Sequence, residues 1–172
     1  MTRINPPVVT QVDTGPNDPR LGRLLGARLA ANESPRAVIL GFPSDEGVRR
    51  NGGRVGAAGG PRAIRAALYR LTPDPRLQQF EEFLGYTRDL GDLEISRNLE
   101  ADQDHLGEAL APYLETGVFV IVIGGGHETS YGHFQGYVRA GKEVEILNWD
   151  AHPDVRELKQ NQGHSGSPFR QP

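Results

Sequence analysis

Val118-Phe119-Val120-Ile121-Val122-Ile123-Gly124-Gly125-Gly126-His127-Glu128-Thr129-Ser130 decides the fold. Its first six residues are apolar without a break, and most are β-branched. A strand covered on one face alternates apolar with polar side chains. A continuous apolar run belongs to a strand covered on both faces, the habit of parallel sheets. The three glycines that follow let the backbone turn tightly and pass close to a neighbour. Thr129 and Ser130 are suited to the start of a helix. In open parallel sheets, ligands bind beyond the carboxyl ends of the strands. His127 stands at such an end.

The same pattern extends outward from this unit. Ala37 to Phe42 reads as a second buried strand, and Val144-Glu145-Ile146-Leu147-Asn148-Trp149 as a third. Thr87 to Leu90, ending in Gly91-Asp92, reads as a weaker strand. A short helix is predicted over Leu21 to Ala31. Another starts at Pro61, with Ala63, Ile64, Ala67, Leu68 and Leu71 on its apolar face and Pro73 and Pro75 beyond its end. A third covers Ala101 to Leu114, where Pro112 blurs the end. A fourth runs from about Ser130 to Arg139, with Gly141 as its natural stop. Pro43 to Gly60 is expected to be a long loop of the kind that carries function. Residues 1–20 are expected to form a flexible N-terminal arm, and residues 21–172 one domain. The fold class is α/β, a parallel sheet with helices on both faces.

Composition narrows the field of functions. The 172 residues carry 19 basic and 22 acidic side chains, a net charge of −3, with no cysteine. Disulfides and thiolate metal sites are therefore excluded. The charge balance gives no footprint for nucleic acid or an anionic membrane. Met1 to Pro7 lacks an apolar signal core, and no apolar run is long enough to span a bilayer. The expected setting is cytoplasmic.

Directly after the predicted strand at 144–149 comes Asp150-Ala151-His152-Pro153-Asp154. Asp150, His152 and Asp154 sit at i, i+2 and i+4. On an extended backbone they would share a face, and Pro153 biases His152 toward extension. Carboxylates mixed with imidazole suit a divalent first-row ion such as manganese better than zinc. His127 and this trio fall at the same edge of the predicted sheet, which makes all four candidate metal ligands.

Four segments carry a family resemblance. They are Gly41 to Ala57 (Gly-Phe-Pro-Ser-Asp-Glu-Gly-Val-Arg-Arg-Asn-Gly-Gly-Arg-Val-Gly-Ala), Gly60-Pro61-Arg62-Ala63-Ile64-Arg65, Gly124-Gly125-Gly126-His127-Glu128, and Asn148-Trp149-Asp150-Ala151-His152-Pro153-Asp154. Ser165 to Gln171 adds a fifth, similar to the loop after the metal motif. Together they resemble the arginase-like ureohydrolases, and most closely the formimidoylglutamases. Gly-His-Glu in place of Asp-His-Ser, and the Asp-Glu-Gly-Val loop, lean toward the latter.

The resemblance implies an arginase-like three-layer fold and manganese-dependent hydrolysis of N-formimidoyl-L-glutamate to L-glutamate and formamide, a step of histidine degradation. It implies two Mn2+ per complete site. His127, Asp150 and Asp154 would hold one, and Asp150 with His152 the other, Asp150 bridging. The family takes two more aspartates from a later strand-end motif, which does not occur through Pro172. The chain is thus expected to be a partial family domain, incomplete at its C-terminal side and part of a longer parent. In the family sheet, later strands lie between those that would carry His127 and Asp150. One ion or none is expected for this chain, because two carboxylates offset two divalent ions poorly.

The resemblance places a His near position 164 in some relatives, which makes His164 a candidate proton shuttle. The implied substrate carries two carboxylates, which guanidinium forks bind well. Arg49, Arg50, Arg54 and Arg170 are candidates, with Asn51 as a hydrogen-bonding partner. Glu128 is either a partner that orients a ligand or a helix N-terminal acid. The expected partner is a small-molecule substrate, with a homo-oligomer left open. Competing readings are an agmatinase- or arginase-type hydrolase, a dinucleotide-binding domain with a partial G-x-G-x-x-G, and a non-catalytic remnant.

Overall fold

The structure is a computed structural model that describes residues 2–8, 15 and 18–171. Its sheet has four strands: β1 (Ile4–Asn5), β2 (Ala37–Phe42), β3 (Thr87–Leu93) and β4 (Phe119–Gly124). Their order is β1-β3-β2-β4. β2 lies at the centre, parallel to β3 on one side and β4 on the other, while β1 is antiparallel to β3. Every residue of β2 is buried, which accounts for its unbroken apolar sequence.

Among the described residues six α-helices accompany the strands: α1 (Leu21–Leu24), α2 (Glu46–Asn51), α3 (Gly60–Leu68), α4 (Gln78–Gly85), α5 (Leu99–Glu115) and α6 (Thr129–Arg139). Val38, Leu40 and Phe42 pack with Val120 and with Leu99, Leu106, Leu110 and Leu114 of α5 to form the core. α6 lies against α5 in the same layer. Alternate residues of β2 point to the opposite face, where Gly41 meets the Arg65 side chain of α3. The result is three layers, as expected, in an open mixed sheet.

Several elements differ from the sequence reading. The helix expected over 21–31 ends after Leu24, and Gly26 adopts φ +69°. The loop expected over 43–60 contains α2 and a single 3-10 turn at Ala57–Gly59. α4 follows Pro73 and Pro75 unannounced. Pro112 sits inside α5, near its end, and Thr116 Oγ1 donates to the Pro112 carbonyl. Within the expected arm, Ile4 and Asn5 pair with Leu93 and Asp92. Gly91 makes that pairing feasible, since a Cβ there would lie 1.9 Å from the Asn5 carbonyl oxygen. Residues 1, 9–14 and 16–17 of the arm lie outside the described residues.

The largest difference concerns residues 144–149, which form no strand. They run as irregular chain after α6, with Leu147 87% and Trp149 94% exposed. A strand requires a neighbour to pair with, and none of the described strands lies beside this segment. β4 also departs from expectation. Its outer edge is unpaired among the described strands, and Phe119 is 60% exposed.

Candidate metal centre

The turn after β4 is built on close backbone contact. Gly125 N–H donates to the Phe42 carbonyl (2.9 Å) and Gly126 N–H to the Ser44 carbonyl (2.8 Å). A Cβ on Gly125 would stand 2.1 Å from the Ser44 oxygen, so the neighbour implied by the glycine run is the chain leaving β2. Thr129 does not cap α6. Its hydroxyl donates back to the Gly126 carbonyl (2.7 Å), which closes the turn. The turn places half-buried His127 at the carboxyl edge of the sheet.

His127 Nδ1 lies 3.0 Å from Asp154 Oδ2 and 3.9 Å from Asp150 Oδ2. One ligand atom from each of the three falls within 4.8 Å of the other two. Asp154 is buried and holds φ +50°, a left-handed conformation uncommon outside glycine. Phe169 N–H donates to its carbonyl (3.3 Å), and the Phe169 ring meets the His127 ring edge to face at 5.6 Å. The aromatic contact restricts rotation of the imidazole. Three oxygen and nitrogen donors converging in this way fit a divalent first-row ion.

His152 does not join the three. Its side chain is 65% exposed, with Nδ1 3.3 Å from Asp150 Oδ1. Its backbone N–H donates to the same oxygen (2.9 Å). That hydrogen bond leads the causes holding the Asp150 carboxyl below its ordinary range, followed by the neighbouring imidazoles. The two oxygens of Asp150 are thus divided, one toward each histidine.

Most other candidate residues are tied up elsewhere. His164 is buried; its Nδ1 accepts from Gly166 N–H (3.1 Å), so its proton sits on Nε2, 2.9 Å from the Glu157 carbonyl. Both nitrogens serve its own loop, which leaves none for a proton shuttle. Arg50 forks onto Glu100 (2.5 and 3.0 Å), and also reaches Glu46 (3.0 Å) and the Gly163 carbonyl (3.1 Å). It joins α2 to α5 and to the C-terminal loop. Asn51 donates to Ser165 Oγ (3.3 Å). Arg49 lies along Glu46 (2.6 and 2.7 Å), and Arg170 along Glu157 (3.0 Å). Arg54 is exposed and makes no hydrogen bond or ion pair among the described residues.

Two acids organise this edge. Glu128 is fully buried, and its Oε1 accepts from Gly47 N–H (2.9 Å). Burial pushes its carboxyl above the ordinary range, and Oε2 has no partner. Gly47 in turn accepts from Ser165 N–H (3.1 Å), so Glu128 links the His127 turn through α2 to the C-terminal loop. No motif in the sequence reveals that chain of contacts, which joins three distant segments. Glu46, in the first turn of α2, is held at about 2 by its hydrogen bond to Arg49 and by Arg50.

Glu46 therefore stabilises the fold fully above its unfolded value near 4.5, and the contribution fades as pH falls through about 2. Arg49 is well solvated, so we expect on the order of 1 kcal/mol. The unfolding free energy of the native chain minus that of Glu46→Gln should shrink by that amount between pH 6 and pH 2 in urea titrations. An unchanged difference would show that the carboxylate contributes nothing.

Carboxylates of Asp150 and Asp154 beside the start of α6 disfavour a pyrophosphate there, which argues against the dinucleotide alternative. No helix among the described residues is long and apolar enough to cross a membrane.

The chain is similar to known proteins over most of its length. A profile described as the arginase family matches residues 35–172. The chain is 43% identical over 143 residues to the formimidoylglutamase of Chromobacterium violaceum, covering 81% of this chain and 43% of that protein. It is 41% identical over 145 residues to the formimidoylglutamase of Rhodococcus opacus, covering 81% of this chain and 42% of that protein. Among solved structures, Trypanosoma cruzi formiminoglutamase with Mn2+ superposes with a TM-score of 0.77 and 38% identity, over 90% of this chain and 52% of that one. The chain thus spans less than half the length of these curated relatives.

Proposed function

The chain belongs to the arginase family, and from that premise we propose that it supplies part of the active site of a formimidoylglutamase. The reaction is manganese-dependent hydrolysis of N-formimidoyl-L-glutamate to L-glutamate and formamide. The observation that carries this reading is the convergence of His127, Asp150 and Asp154 at the carboxyl edge of the sheet. The similarity to formimidoylglutamases, one of them solved with Mn2+, supplies the reaction.

His127 Nδ1, an Asp150 oxygen and an Asp154 oxygen would hold one Mn2+. The second Asp150 oxygen, with His152, would form part of a second site. When bound, such ions supply the Lewis acidity that brings ionisation of water toward neutral pH. Asp154 and Asp150 contribute the negative charge that draws the cation in. Phe169 packs edge to face against the His127 ring and limits its rotation. The uncommitted guanidinium of Arg54 suits a substrate carboxylate, and Arg49 is free to exchange Glu46 for a second one. His164 takes no part in this scheme. Cytoplasmic location and homo-oligomer formation belong to the same reading.

Calorimetric titration with Mn2+ tests the proposal. At most one ion should bind per chain, and weakly; two tight sites would overturn the ligand assignment. N-formimidoyl-L-glutamate added to the Mn2+-loaded chain should bind in preference to arginine and agmatine. Preference for either cation would instead favour the arginase or agmatinase alternative.

A further inference from the structure

Among the described parallel strands, β2 alone sends its chain to the α3 face of the sheet. β3 leads into α5 and β4 into α6, both on the other face. Chains leaving adjacent strands toward opposite faces open a crevice at the carboxyl edge. β2 therefore has a crevice on each side. The one beside β4 holds the metal cluster. The one beside β3 holds a cavity of about 470 Å³, a size that suits a small molecule. The two adjoin at Ser44, which lines the cavity and whose carbonyl accepts from Gly126 N–H.

The acids of this cavity are already engaged. Asp45 accepts from the N–H groups of Gly56 (2.6 Å) and Ala58 (3.3 Å). Glu46 is shared by Arg49 and Arg50. Arg97, which lines the side after β3, makes no side-chain hydrogen bond or ion pair among the described residues. Its backbone is held at φ +71°, a conformation that costs a non-glycine residue energy. Fully buried Asp102 maintains that turn, accepting from Ser96 N–H (2.8 Å), the Ser96 hydroxyl (2.7 Å) and Arg97 N–H (3.1 Å). The fold thus fixes an uncompensated cation beside a cavity, and sets Arg49 of α2 on the same lining.

We propose that this cavity seats the substrate carboxylate that Arg49 takes, and that Arg97 is its second guanidinium, a residue that selects for the glutamate end. The proposal rests on the functional reading above. Guanidinium forks match a carboxylate in shape as well as charge. Arg49 can leave Glu46 without stranding it, because Arg50 keeps its own bond to that acid (3.0 Å). Pro43, Ala58 and Ile95 add apolar lining for the methylene groups of a glutamate chain. The substrate would thus lie across the end of β2, its amidine toward His127 and one carboxylate toward Arg97, which leaves Arg54 for the other.

Calorimetric titration of the 172-residue chain with L-glutamate, divalent ions chelated, tests this without the metal. Glutamate should bind, and Arg97→Gln should weaken it on the order of tenfold, the share of a charge-assisted hydrogen bond. Arg97 is exposed, so the variant should keep its circular dichroism and its Mn2+ affinity. Arg97→Lys should recover part of the loss, since the charge returns without the fork. Glu46→Gln should tighten glutamate, because Arg49 no longer has a carboxylate of its own to leave; a purely structural role for these residues predicts no such gain. N-formimidoyl-L-glutamate should displace the bound glutamate, and formamidine, which has no carboxylate, should not. Absence of glutamate binding, an affinity indifferent to Arg97→Gln, or failure of N-formimidoyl-L-glutamate to displace glutamate would each overturn the proposal. If Mn2+ fails to bind while glutamate binds through Arg97, the hydrolase reading falls and the carboxylate site stands.

Discussion

Replacing Arg65 with methionine should cost about 3–5 kcal/mol in urea unfolding, the penalty for breaking a buried ion pair by removing one partner. Arg65 is 1% exposed. Its Nε and one terminal nitrogen grip the Asp89 carboxylate (2.7 and 3.0 Å), its other terminal nitrogen Asp92 (2.5 Å), and a further bond reaches the Gly91 carbonyl (2.7 Å). The Tyr69 hydroxyl also donates to Asp89. One guanidinium from α3 thus satisfies two acids and a carbonyl of β3. Methionine fills a similar volume but carries no charge and no donor, so buried Asp89 keeps only the Tyr69 hydroxyl and the Gly91 N–H, with no cation to offset its charge. Lysine should not rescue the fold, because a point charge cannot reproduce a planar fork. A domain with marginal stability of about 5–15 kcal/mol would lose a large share of it. A loss below about 1 kcal/mol would show that the acids find water instead.

The second large effect separates two histidines. His127→Ala should weaken Mn2+ binding by on the order of 100-fold or more, since even partners outside the ligand shell typically cost ~10–100-fold. His152→Ala should change the affinity of that first site by no more than a few-fold. The contrast follows from geometry: His127 Nδ1 faces both Asp150 and Asp154, whereas the His152 ring meets only Asp150 and is largely in water. Calorimetry on the two variants reads it directly. Equal losses would mean that both imidazoles hold the same ion.

The central elements were legible because their cause is local. β2 and β4 are continuous apolar runs, and α6 ends before Gly141, whose φ of +64° is the left-handed stop its position suggests. α2 was hidden because its six residues, Glu-Gly-Val-Arg-Arg-Asn, carry no apolar stripe. α4 does have Phe80, Phe83 and Leu84 at helical spacing, but the preceding prolines mask its start. Residues 144–149 show the reverse failure. Their strand propensity is real, yet pairing depends on a neighbour elsewhere, and propensity alone does not supply one.

The same division holds at the metal cluster. His127 could be placed at a strand end from its glycines alone. The i, i+2, i+4 argument needed extended backbone from Asp150 to Asp154. Asp154 instead turns left-handed at φ +50°, so the alternation breaks, and His152 stays beside Asp150 but apart from His127 and Asp154. Arg50 carried a sequence clue, Glu46 four residues earlier, but its fork onto Glu100 joins residues 50 positions apart. Such contacts arise only when the layers assemble.

Trp149 is the only tryptophan in the chain, almost wholly hydrated, and covalently adjacent to Asp150. The molecule therefore carries a built-in optical probe. Its fluorescence maximum and accessibility to quenchers report on the chain beside the metal cluster, without dye or label, whenever that stretch changes its surroundings.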